Sequence, residues 1–429
     1  MRTAIRVLCA AGILAALTPG GIAHAEPAGT TPVNAPADGP SLSADGRYVA
    51  FWSSASDLVA GDTNRVSDVF VRDRQTGETT RVSVDSAGVQ GDNVSRNPSI
   101  SADGRYVAFE SFATNLVAED TLGHWDVFVH DRQTGATTRI SRGRYEREAE
   151  SDSLNPSISA DGRFVAFDSL ASNLIYRDWN NYRDVFVHDR TDGRITKASM
   201  ETNGFESNGP SQKPSISADG RYVAFESNAT NLAVWSDNNR VSDVFVRDQE
   251  TGRTNRVSVS SANLEGDSVS WQPSISADGR YVVYTSNASN LVPGDSSPGG
   301  DVDIDVFRFD RQTKKTTQVN LGPDGTSTSG TPVHRPVISA DGRFVAFQSG
   351  EWDLVPGDTN GSWDVFRRDM VTTTTTRVSV ASAGEEANSQ SGTPAISADG
   401  RHVAFTSYAT NLGGSPTLVA NLYVRDLGD

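Results

Sequence analysis

The 429-residue sequence contains a single cysteine, Cys9, in its first ten residues. A disulfide framework and a cysteine metal site are therefore excluded. No stretch reaches the roughly 18 consecutive apolar residues of a transmembrane helix, so no membrane insertion is expected. Basic residues are also in the minority, with 38 Lys and Arg against 54 Asp and Glu, which gives a formal net charge of −16. Because nucleic acid and anionic membrane surfaces both attract cations, we expect neither as a partner.

Residues 1–25 have the features of a secretory signal peptide. Two arginines form a positively charged start, residues 7–17 form an apolar run, and the string A-H-A supplies the small-x-small pattern of a cleavage site. We therefore expect the mature chain to begin at Glu26 and to be secreted or located in the cell envelope, in an extracellular or periplasmic compartment. Residues 26–429 are expected to form a single domain.

The remainder of the sequence is a sevenfold repeat. Each unit contains four short segments rich in β-branched and aromatic residues, joined by Asp-Gly and Thr-Gly turns and without helical periodicity. The string S-A-D-G-R recurs at intervals of 58 to 63 residues, with its aspartates at Asp45, Asp103, Asp161, Asp219, Asp278, Asp341 and Asp399. Four short strands repeated at this period are typical of a propeller blade. The sequence predicts an all-β, seven-bladed β-propeller with four-stranded antiparallel blades.

The fourth strand of the last repeat is missing at the end of the chain. The segment Thr30–Asn34 mirrors the fourth-strand segment Thr79–Ser83 but lies before the first repeat. We expect this N-terminal strand to complete the last blade and so to latch the ring. Pro32 is compatible with that position because an outermost strand has a free edge.

The repeated motifs resemble a known family. The P-S-I-S-A-D-G-R-[YF]-V-A-F core, as in Pro98–Phe109, and the string D-V-F-V-R-D, as in Asp68–Asp73, resemble the WD-repeat-like propeller family that includes the TolB propeller. The resemblance covers about residues 30–429 and implies the propeller fold. The TolB propeller has six repeats where this chain has seven, so a Tol–Pal role does not follow from it.

Propeller geometry places the long loops on one face. The second-to-third-strand loops and the blade-to-blade loops are long, divergent and acidic, and they surround the mouth of the channel, where binding residues usually lie. Four of them share a D-x-N-x3-D pattern, formed by Asp62, Asn64 and Asp68, by Asp178, Asn180 and Asp184, by Asp237, Asn239 and Asp243, and by Asp358, Asn360 and Asp364. Oxygen ligands at alternate positions suit Ca²⁺, the one cofactor that the sequence suggests. The alternative is that these residues form Asx turns between strands.

The fifth repeat has a longer loop with four aspartates, Asp295, Asp301, Asp303 and Asp305. The last three alternate, so in an extended chain they point to one face. Three carboxylates on one face repel one another unless a cation lies between them. We therefore regard this loop as the best single metal candidate, with an exposed acidic rim as the alternative.

A second candidate site is the rim of the channel. The residues just before the strand-opening prolines include Asn97, Asn155, Lys213, Gln272, Arg335 and Thr393. This polar ring with two cations suits an anionic or polyhydroxylated ligand, and the alternative is a water-filled channel.

No catalytic signature such as G-x-S-x-G is present. We interpret the chain as an exported, monomeric, non-enzymatic binding propeller for a protein or glycan. The alternative is a cell-envelope glycan hydrolase or lyase with carboxylates at the channel mouth.

Overall fold

The structure, a computed structural model, describes residues 29–143, 145, 147–232, 237–294, 304–326, 331–414 and 419–428. These residues form seven four-stranded antiparallel sheets arranged in a ring, so the predicted all-β, seven-bladed propeller is confirmed. Among the described residues, no helix is long and apolar enough to span a lipid bilayer. The predicted signal peptide at residues 1–25 lies outside the described ranges.

Each of the first six blades consists of four strands that are consecutive in the chain. Blade 1 contains β2 (Asp38–Leu42), β3 (Tyr48–Ser53), β4 (Asp68–Asp73) and β5 (Thr79–Arg81). Blade 2 contains β6 (Ser95–Ile100), β7 (Tyr106–Ser111), β8 (Asp126–Asp131) and β9 (Thr137–Arg139). Blade 3 contains β10 (Ser153–Ile158), β11 (Phe164–Ser169), β12 (Asp184–Asp189) and β13 (Arg194–Lys197).

The next three blades repeat this order. Blade 4 contains β14 (Ser211–Ile216), β15 (Tyr222–Ser227), β16 (Asp243–Asp248) and β17 (Arg253–Arg256). Blade 5 contains β18 (Ser270–Ile275), β19 (Tyr281–Ser286), β20 (Asp305–Asp310) and β21 (Lys315–Gln318). Blade 6 contains β22 (Val333–Ile338), β23 (Phe344–Ser349), β24 (Asp364–Asp369) and β25 (Thr374–Arg377).

Blade 7 combines both ends of the described chain. It contains β26 (Ser391–Ile396), β27 (His402–Ser407), β28 (Asn421–Asp426) and, as its outermost strand, β1 (Gly29–Pro36). β1 pairs antiparallel with β28, with Thr30 opposite Arg425. The Thr30 hydroxyl donates a hydrogen bond to the carbonyl of Val380 in the preceding blade-to-blade loop. The predicted N-terminal latch is therefore confirmed.

The hydrophobic core lies between blades. The two central strands of each blade carry apolar residues at consecutive positions because neighbouring blades cover both of their faces. In blade 2, for example, Val107, Phe109, Val127 and Phe128 are all fully buried, and the rings of Phe109 and Phe128 stack at 5.9 Å. This double-sided burial explains why the strands read as continuous apolar runs rather than as an alternation.

The S-A-D-G-R turns form a continuous belt at the end of the channel away from the long second-to-third-strand loops. The alanine N–H of each turn donates to the alanine carbonyl of the next turn at 2.9–3.0 Å, around all seven blades. Glycine is required in the turn because Gly104 has a φ of +73°, and because a Cβ there would lie 2.2 Å from the Tyr48 ring of the preceding blade. The arginine after each turn also pairs across strands in six blades, as Arg47 does with Asp73 at 2.6 Å. These contacts make this end of the propeller a repeated scaffold.

Candidate ligand-binding site at the channel mouth

The predicted rim residues lie on the innermost strands, where each strand carries a bulge. All six have a positive φ, from +50° to +54°, and the ladder between the first and second strands shifts register at this point in every blade. Five of the six, together with Gly39, line a channel cavity of about 570 Å³, whereas Thr393 lines a neighbouring pocket. The structure therefore brings all six residues to the channel or its mouth.

One half of the mouth carries three buried carboxylates that sequence analysis missed. Glu110, Asp168 and Glu226 occupy the same position on the second strands of blades 2, 3 and 4, and all three are nearly inaccessible to solvent. Glu110 accepts a hydrogen bond from Asn97 Nδ2 at 2.9 Å and from the Asn155 N–H at 2.8 Å. Each of the three carboxylates in this way binds the rim residue of its own blade and the rim residue of the next blade.

Basic side chains compensate these carboxylates. Arg183 Nη1 lies 2.7 Å from an oxygen of Asp168, and Lys213 Nζ lies 3.4 Å from an oxygen of Glu226. Burial raises the pKa of Asp168, although the Arg183 charge acts in the opposite direction. Lys213, one of the two predicted rim cations, is therefore already paired within the rim.

The other half of the mouth carries no carboxylate at this strand position. Blades 5, 6, 7 and 1 have Thr285, Gln348, Thr406 and Trp52 there instead. Above them lies a pocket of about 640 Å³, which we call the mouth pocket. Its lining side chains include those of Asp38, Trp52, Trp271, Gln272, His334, Arg335, Gln348, Thr393, Thr406 and Tyr408.

Arg335 is the cation of the mouth pocket. Its side chain is exposed, and Nη1 donates to Thr393 Oγ1 at 2.9 Å. In the part of the chain that the structure describes, its guanidinium has no carboxylate within 4.0 Å. Its neighbour His334 stacks on Trp363 at 5.7 Å, and burial together with the Arg335 charge lowers the pKa of the imidazole. The pocket thus combines a guanidinium that has no close carboxylate partner with an imidazole whose pKa is lowered, and Asp38 also lines it.

The predicted aspartate loops contain a basic side chain among their carboxylate oxygens. In blade 4, Asp237, Asp243 and Glu265 bring their oxygens within 4.8 Å of one another. Arg256 of strand β17 reaches into this group and forms an ion pair with each of the three carboxylates, including one of 3.1 Å with Asp243. Lys197 does the same in blade 3, at 3.0 Å from Asp178, 2.7 Å from Asp184 and 2.8 Å from Glu206. A basic side chain from the fourth strand therefore supplies positive charge at the centre of these groups.

The same arrangement recurs in blades 1, 2 and 6. The ion pairs there join Arg81 to Asp62 and Asp68, Arg139 to Asp120, Asp126 and Glu148, and Arg377 to Asp358 and Glu386. In blade 6, Asp358, Asp364 and Glu386 bring their oxygens within 4.8 Å of one another. The signal for this cation was present in the sequence as a basic residue at a fixed position of the fourth strand, which sequence analysis did not connect to the aspartates.

The asparagines of the D-x-N-x3-D loops form Asx turns. Asn64 Oδ1 accepts from the Val66 N–H at 3.1 Å, and Asn64 Nδ2 donates to the Gly91 carbonyl at 2.9 Å. Asn180, Asn239 and Asn360 also donate to the carbonyl of the facing blade-to-blade loop. These amides hold two loops together, and the Ca²⁺ prediction stays a prediction.

The fifth-repeat loop is described only in part. Asp295, Asp301 and Asp303 lie outside the described residues. Asp305 is buried and accepts a hydrogen bond from Gln318 Nε2 at 2.9 Å, so blade 5 has an amide where the other aspartate loops have a cation.

Comparisons with known proteins show the fold alone. No protein-family model matches the sequence, and the search of curated proteins finds no match. Among solved structures, an oligogalacturonate lyase in complex with manganese is 14% identical, with a TM-score of 0.56 over 94% of this chain and 95% of that chain. An oligogalacturonate lyase from Vibrio parahaemolyticus is 12% identical, with a TM-score of 0.55 over 95% of both chains. A TolB from Acinetobacter baumannii is 15% identical, with a TM-score of 0.40 over 89% of this chain and 81% of that chain.

Proposed function

We propose that the protein is a binding propeller that takes an acidic saccharide in the mouth pocket. The observation that carries the proposal is the exposed Arg335 guanidinium, which lines this pocket and has no carboxylate partner among the described residues. An arginine fork recognises a carboxylate through two parallel hydrogen bonds. A ligand carboxylate would place next to Arg335 the negative charge that no described side chain provides there.

The rest of the mouth pocket suits the sugar rings. Trp52, Trp271 and Tyr408 offer aromatic faces for the apolar sides of the rings. Amide and hydroxyl groups of Gln272, Gln348 and the nearby threonines can exchange hydrogen bonds with sugar hydroxyls. The volume of about 640 Å³ lies within the range of ligand pockets.

The choice of probe follows from this chemistry. An oligogalacturonate is a saccharide with a carboxylate on each ring, and two lyases that share the fold are named for acting on it. The proposal rests on the pocket and not on that likeness, which is limited to the fold.

Calorimetric titration of the protein with trigalacturonate tests the proposal. We expect saturable binding that Arg335→Gln weakens at least about tenfold, because Arg335 is the one Lys or Arg among the described residues that line the pocket. Lys213→Gln is the matched control, since Lys213 lies on the same rim but is paired with Glu226. Equal affinities of the Arg335→Gln variant and the unsubstituted protein would contradict the proposal.

A second candidate function, lyase chemistry, is favoured by one observation. His334 and Arg335 line the same pocket, and the lowered pKa of His334 keeps its imidazole free to accept a proton at pH 7. A lyase needs a base for the proton next to the sugar carboxylate and a cation that stabilises the charge formed there. Formation of an unsaturated product from oligogalacturonate, lost in His334→Gln, would support this function. Binding without any product supports the non-enzymatic reading.

The signal-peptide features of the sequence also support a proposal about where the protein acts. We propose that the chain is secreted or held in the cell envelope as a monomer, where acidic glycans are accessible. N-terminal sequencing of the exported protein tests this proposal: a start at Glu26 supports it, and a retained Met1 contradicts it.

A further inference from the structure

The boundary between two neighbouring blades, which we call a seam, contains a repeated hydrogen bond near the outermost strand. A threonine hydroxyl of the fourth strand donates to a backbone carbonyl of the preceding blade-to-blade loop. The pairs are Thr137 with Val84, Thr254 with Met200, Thr316 with Val259, and Thr30 with Val380. In blade 2 the same threonine also contacts His130, whose Nδ1 lies 2.9 Å from Thr137 Oγ1.

The seam between blades 2 and 3 lacks this contact. Ile195 stands where the other blades have threonine, directly opposite His188 in the ladder between β12 and β13. His188 corresponds to His130, yet its Nδ1 has no hydrogen-bond partner among the described residues, although the side chain is only 4% exposed. A buried polar atom without a hydrogen bond lowers the stability of the fold, so its presence at this seam requires a physical explanation.

A cavity of about 280 Å³ adjoins this imidazole, and we call it the seam cavity. Its walls include Leu174, Ile175 and Ile195, with Tyr145 and Tyr176 beside them. Both tyrosines are largely exposed, so the cavity is accessible from solvent.

Arg142 also lines the seam cavity, and its position breaks the repeat. The equivalent residues in the other blades are apolar, as with Val84, Met200, Val259, Leu321 and Val380. Arg142 Nε donates to the Arg139 carbonyl at 3.0 Å, which orients the guanidinium beside the cavity. Two departures from the repeat, a lost hydroxyl and a gained cation, therefore coincide at one seam.

We infer that the seam cavity binds a small organic carboxylate with an apolar body. The imidazole of His188 donates from Nδ1 to a carboxylate oxygen, the Arg142 guanidinium compensates the negative charge, and the leucine and isoleucine side chains cover the apolar part. The other charged groups close to His188 are Arg190, Asp189 and Asp192. This inference is independent of the acidic saccharide proposed for the mouth pocket.

Calorimetric titration with benzoate tests the inference, carried out in the Arg335→Gln protein to weaken any binding of the carboxylate in the mouth pocket. We expect one benzoate per chain at millimolar concentration and no binding of benzyl alcohol, its neutral counterpart. Ile195→Thr restores the threonine found in blades 2, 4, 5 and 7, and Arg142→Val restores the apolar residue of those seams. Each is expected to weaken benzoate binding at least about tenfold without loss of folded structure by circular dichroism.

Two results would overturn the inference. One is the absence of benzoate binding to the folded Arg335→Gln protein, and the other is benzoate binding that Ile195→Thr leaves unchanged. Trigalacturonate binding by the Ile195→Thr variant of the otherwise unsubstituted protein reports separately on the mouth pocket, so the two proposals can fail independently.

Discussion

The backbone N–H of Ala398 donates to the carbonyl of Ala44 at 3.0 Å, which joins the last repeat to the first. This bond closes a circle of seven such bonds at one end of the channel. The β1–β28 ladder lies within blade 7 and joins the first described strand to the last. The ring is thus fastened twice, once by the repeated turn and once by the N-terminal strand.

Removal of the N-terminal strand should destabilise the ring. A chain that begins at Asp38 loses the β1–β28 ladder, the buried Val33 and the Thr30 contact with Val380. We expect the free energy of unfolding to fall by at least about 3 kcal/mol, from one buried valine and several hydrogen bonds. Urea unfolding measures the change, with a chain that begins at Gly29 as the control. Equal midpoints for the two chains would show that β1 is not a latch.

Most of the fold could be predicted because the propeller depends on short sequence patterns that recur in each repeat. The Asp-Gly turns, the apolar strand pairs and the Thr-Thr start of the fourth strand recur in sequence, and each depends on contacts within a blade or with its neighbour. The latch was predictable for the same reason, since Thr30 repeats the pattern of Thr137. Contacts that do not recur from blade to blade gave no comparable signal.

Stability should be greatest at a mildly acidic pH. Burial raises the pKa of Asp126 to about 6 and that of Asp243 to about 7, so the stability that these groups contribute is complete below pH 4 and is lost as the pH rises to 7. Hydrogen bonds from Arg47 and Arg163 lower the pKa values of Asp73 and Asp189 to about 2, so their contribution is lost as the pH falls from 4 to 2. We therefore expect a maximum in melting temperature near pH 4–5.

Thermal unfolding across pH 2–8 tests this expectation at high salt, which screens the net charge. The variant Asp243→Asn should flatten the decline above pH 5, whereas Asp73→Asn should flatten the decline below pH 4. A melting temperature that rises steadily from pH 4 to pH 8 would contradict the assignment.

Removal of the cation from an aspartate group should destabilise the protein. In Arg256→Gln, Asp237, Asp243 and Glu265 remain together without a positive charge, and we expect a loss of about 3–5 kcal/mol. Arg253→Gln, an exposed change on the same strand, is the matched control. Millimolar Ca²⁺ should raise the melting temperature of the metal-stripped Arg256→Gln protein, because the ion can replace the missing charge.

The Ca²⁺ prediction for the unsubstituted protein is tested in the same series. A Ca²⁺-dependent rise in the melting temperature of the metal-stripped protein supports it, and the absence of a rise contradicts it. Loss of stability in Arg253→Gln equal to that in Arg256→Gln would instead contradict the structural role given to the strand-four cation.

The aromatic wall of the mouth pocket should contribute to affinity. Trp271→Ala removes one ring that faces the pocket, and we expect trigalacturonate binding to weaken by about 1–2 kcal/mol. Trp352→Ala is the control, since Trp352 is 62% exposed and does not line the pocket. Equal affinities of the two variants, measured by calorimetry, would show that the Trp271 indole does not contribute to binding.

The site was less predictable than the fold. The prolines marked the rim residues, and the mixed charge of the rim indicated an anionic ligand. The pairing of Lys213 with Glu226 and the lack of a carboxylate partner for Arg335 depend on the facing residue of the second strand in the same blade, which is Glu226 in blade 4 and Gln348 in blade 6. Both of these residues lie 13 positions after the cation, on the neighbouring strand, but the bulge shifts the ladder between the two strands, so strand alternation alone did not indicate the pairing.

The most direct test of the mouth pocket is the coupling between Arg335 and the ligand carboxylate. Calorimetry would compare trigalacturonate with its methyl ester, for the unsubstituted protein and for Arg335→Gln. We predict that esterification weakens binding to the unsubstituted protein at least about tenfold and changes binding to the variant little. An equal loss in both proteins would show that Arg335 does not read the carboxylate, and would contradict the proposed function.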